Sequence, residues 1–197
     1  MDKQTVIKFF DKVSSNWDAD MVKNDDTINI ILDNAEITDN ISVLDVACGT
    51  GVMIPYYIER GVSTVTAIDI SPEMARIAQE KFKTDDMVTV ICGDAETYSF
   101  GRKFDRIIIY NAFPHFISQE NIIKVMAVLL NDDGILTVAH GMSKADLDTL
   151  HYRSAHSVSQ TLPEAEELAS IFSKYLSVKT VISNDKMYQV TGKKIKE

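Results

Sequence analysis

The sequence predicts an α/β protein built as a doubly wound, mostly parallel sheet with helices on both faces. Three observations carry this expectation. Short β-branched runs alternate with helical patterns through most of the chain, which is the arrangement of a parallel sheet covered on both sides. The apolar run Val43-Leu44-Asp45-Val46 breaks at once into the turn Gly49-Thr50-Gly51, and in open parallel sheets ligands sit beyond the carboxyl ends of strands, where glycines let the backbone come close. The closing segment holds two strand patterns joined by Asn184-Asp185, too short a link for a parallel crossover. The sheet is therefore expected to be mixed.

Taken in order, residues 1 to about 40 hold two helical patterns, one with Val6, Phe9, Phe10 and Val13 on a single face. Strands are predicted over 42–46, 65–69, 88–92, 104–110 and 134–140, and helices over 53–60, 71–82 and 119–130. The second of these helices opens with Ser71 as N-cap and Pro72 in its first turn. The third places Ile122, Ile123, Met126, Leu129 and Leu130 on one face and is stopped by Asn131-Asp132-Asp133-Gly134. Leu162-Pro163-Glu164 opens a helix to about residue 173, and strands over 176–183 and 186–191 form the closing hairpin.

Composition narrows the class. A chain of 197 residues, 45% hydrophobic and 25% charged, fits one ordinary globular domain rather than a disordered or membrane-spanning protein. With neither an apolar run of spanning length nor a signal-like start, a cytoplasmic location is expected. A net charge of −9 argues against nucleic acid as a partner, and Lys193-Lys194-Ile195-Lys196 reads as a solvated tail. Cys48 and Cys92 each end a strand-like run and read as buried structural thiols.

Three acids close successive strand patterns. Asp45 lies within the first strand, where an unpaired charge is costly, so it needs loop amides or a ligand. Asp69 ends the second, where an acid can accept hydrogen bonds from both hydroxyls of a ribose. Asp94, in Gly93-Asp94-Ala95-Glu96, can bond an adenine amine or simply form an Asx turn.

Together these residues resemble the class I S-adenosylmethionine-dependent methyltransferases over roughly residues 40–140. Val43 to Gly51 looks like that family's first motif, Ala67-Ile68-Asp69 like its ribose-binding acid, Gly93-Asp94-Ala95 like its adenine loop, and the run from Phe104 to Asn111 like the strand that ends beside the reacting methyl. The resemblance implies a Rossmann-like methyltransferase fold, seven-stranded with a reversed last strand, and S-adenosylmethionine as cofactor. It carries Asp45, Ala47, Gly49 and Gly51 over as cofactor-binding residues, with Asp69, Ile70, Met74, Asp94, Ala95 and Asn111. The stretch from Phe9 to Asp18 is similar to the lead-in of a small-molecule branch that includes the quinone-biosynthesis methyltransferases. It implies an N-terminal helical lid (1–40), a cofactor-binding core (41–140), and a short lid insertion followed by the hairpin (141–197). Trp17 would cover the cofactor or plug lid against body.

Two other readings use the same architecture. A dinucleotide-binding oxidoreductase needs a third glycine where this chain has Ile54. A non-catalytic cofactor-binding protein would be expected to have lost binding residues, and none is lost.

Methyl transfer from a sulfonium is a direct displacement in which the protein aligns the reactants and excludes water. An acceptor that must lose a proton gains from a base near neutral pH, usually histidine. All four histidines lie after the fourth strand. His115 and His140 are the candidates, each set against a packed, neutral imidazole. His151 and His156 read as solvent-exposed, and the spacing of the four is that of no compact metal motif, so no metal is assigned. Phe113, Phe116, Tyr152 and Trp17 could frame an aromatic pocket or be ordinary core. The expected partner is a small-molecule methyl acceptor; the oligomeric state is left open.

Overall fold

Each β-branched run pairs where its apolar alternation can be covered from both sides. The computed structural model describes residues 1–195, without the side chain of Ser154. Seven strands, β1 (Ser42–Val46), β2 (Thr64–Asp69), β3 (Val88–Cys92), β4 (Phe104–Tyr110), β5 (Leu130–His140), β6 (Leu176–Ser183) and β7 (Tyr188–Lys194), form one sheet in the order β3-β2-β1-β4-β5-β7-β6. β1 to β5 are mutually parallel, and β7 runs antiparallel to both β5 and β6. This is the doubly wound, seven-stranded sheet with a reversed last strand. Strand order reverses between β1 and β4, and that switch point puts a crevice beyond their carboxyl ends.

The helices are α1 (Lys3–Val13), α2 (Trp17–Asp20), α3 (Asp25–Asn34), α4 (Ile54–Glu59), α5 (Pro72–Phe82), α6 (Gln119–Val128), α7 (Lys144–Ser154) and α8 (Ala165–Phe172). Asp2, Asn24, Ser71, Ser118 and Ser143 cap α1, α3, α5, α6 and α7 by accepting from a first-turn amide, each worth about 1 kcal/mol. On one sheet face Leu44, Val46, Ile107, Ile109 and Leu136 pack against α6 and α8. On the other, Val43, Val65, Ala67 and Ile108 pack against α3 and α4. β1 is buried along its whole length.

Several local expectations are corrected. The third helix ends at Val128, before Asn131-Asp132-Asp133-Gly134, and those four residues lie inside β5: the chain rejoins the sheet already at Leu130 and bulges, the partners jumping from Phe104↔Leu130 to Arg106↔Ile135. The hairpin turn is longer than two residues because Asn184 Oδ1 accepts from the amides of both Lys186 and Met187, which delays β7 to Tyr188. The basic tail is not simply solvated: Lys193 pairs with Asp133 at 2.9 Å and Lys194 Nζ donates to the Ala127 carbonyl at 2.8 Å. Lys196 lies outside the described residues. Cys48 is buried as expected, but Cys92 is exposed, because it closes an edge strand that nothing covers there.

Candidate active site

The turn after β1 is wound in a conformation that L-residues resist. Ala47, Gly49 and Gly51 have φ of 55°, 55° and 85°; for Ala47 this costs on the order of 1–2 kcal/mol. Asn111, where β4 ends, is similarly left-handed at φ 53°. Strain gathered at the ends of the two switch-point strands marks a functional edge. It is held by Asp69, whose Oδ2 accepts from the Gly49 amide and Oδ1 from the Ser71 amide, both at 2.8 Å. One carboxylate thus ties the turn after β1 to the helix after β2. Each of its oxygens keeps a second lone pair.

Beyond these ends lies a cavity of about 590 Å³, a usual size for a small-molecule site. Ala47, Gly49, Asp69, Ile70, Met74, Asp94, Ala95 and Asn111 all line it, as does His115. Asp45, Gly51 and His140 do not. Asp45 is 2% exposed within β1, and its Oδ2 has no hydrogen-bond partner. Gly51 faces α5 instead: a Cβ there would meet the Phe82 ring at 2.6 Å. His140 is wholly buried beside Tyr188, neither ring nitrogen hydrogen-bonded.

The N-terminal helices lie over the carboxyl ends of β1, β2 and β3, and three polar clamps hold them. Lys3 Nζ lies 2.5 Å from Asp94 Oδ2 and 2.7 Å from Glu96 Oε2. Asp11 accepts from the Ser71 hydroxyl at 2.6 Å and the Glu73 amide at 3.2 Å. Asp18 accepts from the Thr50 hydroxyl at 2.6 Å and pairs with Lys81 at 2.5 Å. The clamps thus meet the loops after β3, β2 and β1 in turn. Trp17 lines the cavity, with its indole nitrogen over Gly49 and its ring edge-on to Phe10. Asp94 makes the Asx turn, its Oδ1 accepting from the Glu96 amide, and still borders the cavity. Sequence reasoning missed Lys3 altogether; no local pattern links it to an acid 91 residues away.

The other half of the cavity lies past β4 and β5. His115 Nδ1 is 2.8 Å from the Val158 carbonyl. A carbonyl only accepts, so Nδ1 carries the proton and Nε2 keeps its lone pair. His151, read as exposed, is instead half-buried on α7 and lines the same space, its ring 5.1 Å from that of His115. His156 is exposed. Burial pushes His115 down to about 4 and His140 to about 3, and lowers His151 as well. Of the aromatic candidates, Phe116 lines the cavity, Phe113 is core, and Tyr152 is 78% exposed. Among the described residues no group of three or more His, Cys, Asp or Glu is arranged to hold a metal.

The buried acids make stability depend on pH. Burial, and then the charge of Asp69, raise Asp45 to about 8; burial raises Asp69 to about 6. A carboxyl raised on folding favours the folded state fully below its unfolded range near 4, and that contribution is lost as pH rises through the folded value. The contribution of Asp45 is thus lost between about pH 4 and pH 8, and above about pH 6, where the buried histidines cease to oppose it, the melting temperature of the ligand-free protein should fall up to about pH 8. Asp45→Asn, which cannot ionise, should flatten the upper part of that fall and melt higher than wild type at pH 9. Thermal scans at intervals of half a pH unit check this, and parallel profiles for the two proteins would contradict it.

The sheet order, the reversed last strand and the flanking helices define a domain of the Rossmann-like methyltransferase architecture. Residues 43–134 match the family described as "Methyltransferase domain". The malonyl-[acyl-carrier protein] O-methyltransferase of Priestia megaterium is 32% identical over 141 residues, 69% of this chain and 51% of that protein. The chain thus spans about half the length of that relative. Among solved structures, the complex between the Haloferax volcanii Trm112 methyltransferase activator and the putative methyltransferase contains a chain that superposes with TM-score 0.83 at 16% identity, covering 98% of each chain. The N-methyltransferase NodS from Bradyrhizobium japonicum, in complex with S-adenosyl-L-homocysteine, superposes with TM-score 0.77 at 14% identity, covering 96% of this chain and 98% of that one. At such identities the structural likeness speaks for the fold. The fold is the Rossmann-like fold of the class I S-adenosylmethionine-dependent methyltransferases, and residues 43–134 are similar to a methyltransferase domain.

Proposed function

We propose that this chain binds S-adenosylmethionine over the carboxyl ends of β1, β2 and β3 and transfers its methyl group to a small-molecule acceptor held beyond β4 and β5. The observation that carries this reading is a single cavity running from the acid-bearing loops to the histidine-bearing half. The bound cofactor supplies an electrophilic methyl on a sulfonium. The free lone pairs of Asp69 accept from the ribose hydroxyls, while Ile70 and Met74 give the adenine an apolar wall beside Asp94 and Ala95. Ala47 and Gly49 bring backbone close to the cofactor, and Asn111 stands at its methyl end. Asp45 and Gly51 support the turn from beneath. The acidic lining of Asp20, Asp69, Asp94 and Glu96 suits a cationic sulfonium. Trp17 and the clamped lid exclude water.

His115 is the side chain that meets the acceptor, and His140 backs the pocket without touching it. The chain's net charge of −9 and the short segment of residues 141–164 between β5 and α8 favour a small molecule over nucleic acid. Among the described residues no helix is long and apolar enough to cross a membrane. The reading is organised as lid, core and hairpin-bearing end over 1–40, 41–140 and 141–197. Calorimetric titration with S-adenosylhomocysteine tests it: micromolar binding at one site per chain is expected. An absence of binding at millimolar ligand would overturn it.

A further inference from the structure

The acceptor half of the cavity is chemically one-sided. Its walls are apolar, with Phe10, Val13, Phe116, Met142 and Leu147 turned inward, and its lip carries Val22, which is 94% exposed. Among the described residues lining the cavity, Lys3 is the one lysine or arginine, and it is held by Asp94 and Glu96 on the cofactor side. An acceptor carrying a carboxylate or phosphate would enter a low-dielectric space with no free cation and with carboxylates at its border. That costs several kcal/mol as an order of magnitude. The titratable nitrogen groups lining this half are two imidazoles, His115 and His151, beside the uncharged Tyr110 and Asn111. The Val158 carbonyl fixes the tautomer of His115, so Nε2 is a preset hydrogen-bond acceptor.

On the reading that this is the methyl-acceptor site, we infer that it takes a neutral, mainly apolar molecule carrying an O–H or N–H on the atom to be methylated, and that Nε2 of His115 receives that hydrogen bond. A phenol or an aromatic amine has this chemistry; a carboxylic acid, ionised at neutral pH, does not. The acceptor's lone pair forms the bond to the methyl carbon as the carbon–sulfur bond breaks and its electron pair returns to sulfur. The acceptor's proton passes to Nε2 of His115 and from there to solvent. The low pKa of His115, about 4 through burial, keeps Nε2 unprotonated before that step across the physiological range. The inference also separates this chain from its Priestia relative, named for malonyl-[acyl-carrier protein], whose malonyl group ends in a carboxylate.

The test presents the full chain with S-adenosylmethionine labelled in the methyl group and three acceptors of similar shape: 4-phenylphenol, 4-phenylaniline and biphenyl-4-carboxylate. Transfer to the phenol or the amine should exceed transfer to the carboxylate at least tenfold, the better of the two distinguishing oxygen from nitrogen. His115→Asn keeps a donor for Val158 but removes the Nε2 acceptor. It should lower kcat/KM for the preferred acceptor about 10- to 100-fold while S-adenosylhomocysteine affinity stays within twofold. Preference for the carboxylate overturns the inference, as does an unchanged kcat/KM in His115→Asn, or no transfer to either neutral acceptor by protein that still binds S-adenosylhomocysteine. Failure to bind S-adenosylhomocysteine instead overturns the methyltransferase reading itself, and the titration tells the two apart.

Discussion

Asp69→Asn is expected to weaken S-adenosylhomocysteine binding on the order of 100-fold, from the loss of hydrogen bonds to a charged acceptor worth about 1.5–3 kcal/mol each. The carboxylate does two things at once. It holds the Gly49 and Ser71 amides with one oxygen each, and it offers its remaining lone pairs to the ribose. An asparagine has a single acceptor oxygen, so its NH2 must face one of those two amides. The buried donor left unpaired costs about 1–3 kcal/mol. The variant should therefore both bind poorly and melt lower, and titration beside a thermal scan measures the two effects separately. An affinity within threefold of wild type would remove Asp69 from the site.

Gly51→Ala should destabilise the protein by about 2–5 kcal/mol, from a left-handed backbone costing roughly 1–2 and an overpacked contact costing roughly 1–3. The backbone there has φ 85°, and a Cβ would stand 2.6 Å from Cε2 of Phe82 and 3.0 Å from Cδ1 of Ile54. Because the two causes are separable, Phe82→Leu in the Gly51→Ala background should restore the packing part and leave the backbone part. Urea denaturation of the four proteins in that cycle measures it. A loss below 0.5 kcal/mol in the single variant would mean that the turn can relax, and would take Gly51 out of the packing between turn and α5.

Much of the fold was legible because its determinants are local. β1, β3, β4 and β6 begin and end where alternation and turn residues put them, and Ser71 caps α5 as its spacing with Pro72 requires. The antiparallel hairpin followed from chain length alone, since no crossover fits between β6 and β7. What went astray was also local in cause. Asn184 captured two amides rather than one, and the chain after α6 bulged back into the sheet instead of looping clear.

The candidate site divides along the same line. The acids after β1, β2 and β3 could be read from sequence because a parallel sheet delivers every carboxyl end to one edge, so Asp69 and Asp94 share a crevice whatever their side chains touch. The histidines could not. His115, His140 and His151 are alike as letters, yet His140 turns into the packing beside Tyr188 while His115 and His151 line the cavity with their rings in contact.

The sequence by itself determined the fold class: strand periodicity, the glycine turn and the acids near strand ends indicate a doubly wound sheet with a nucleoside-type edge, and the resemblance of those motifs to class I methyltransferases supplied the rest. Only the tertiary structure decided which of those residues line the cavity. It turned Asp45 and Gly51 inward, brought Lys3 onto Asp94, and made His151 a partner of His115. Strand and turn preferences are encoded between near neighbours. The direction a side chain finally faces depends instead on register and on helices packed from far along the chain, with free energies that belong to the assembled core rather than to any segment of it.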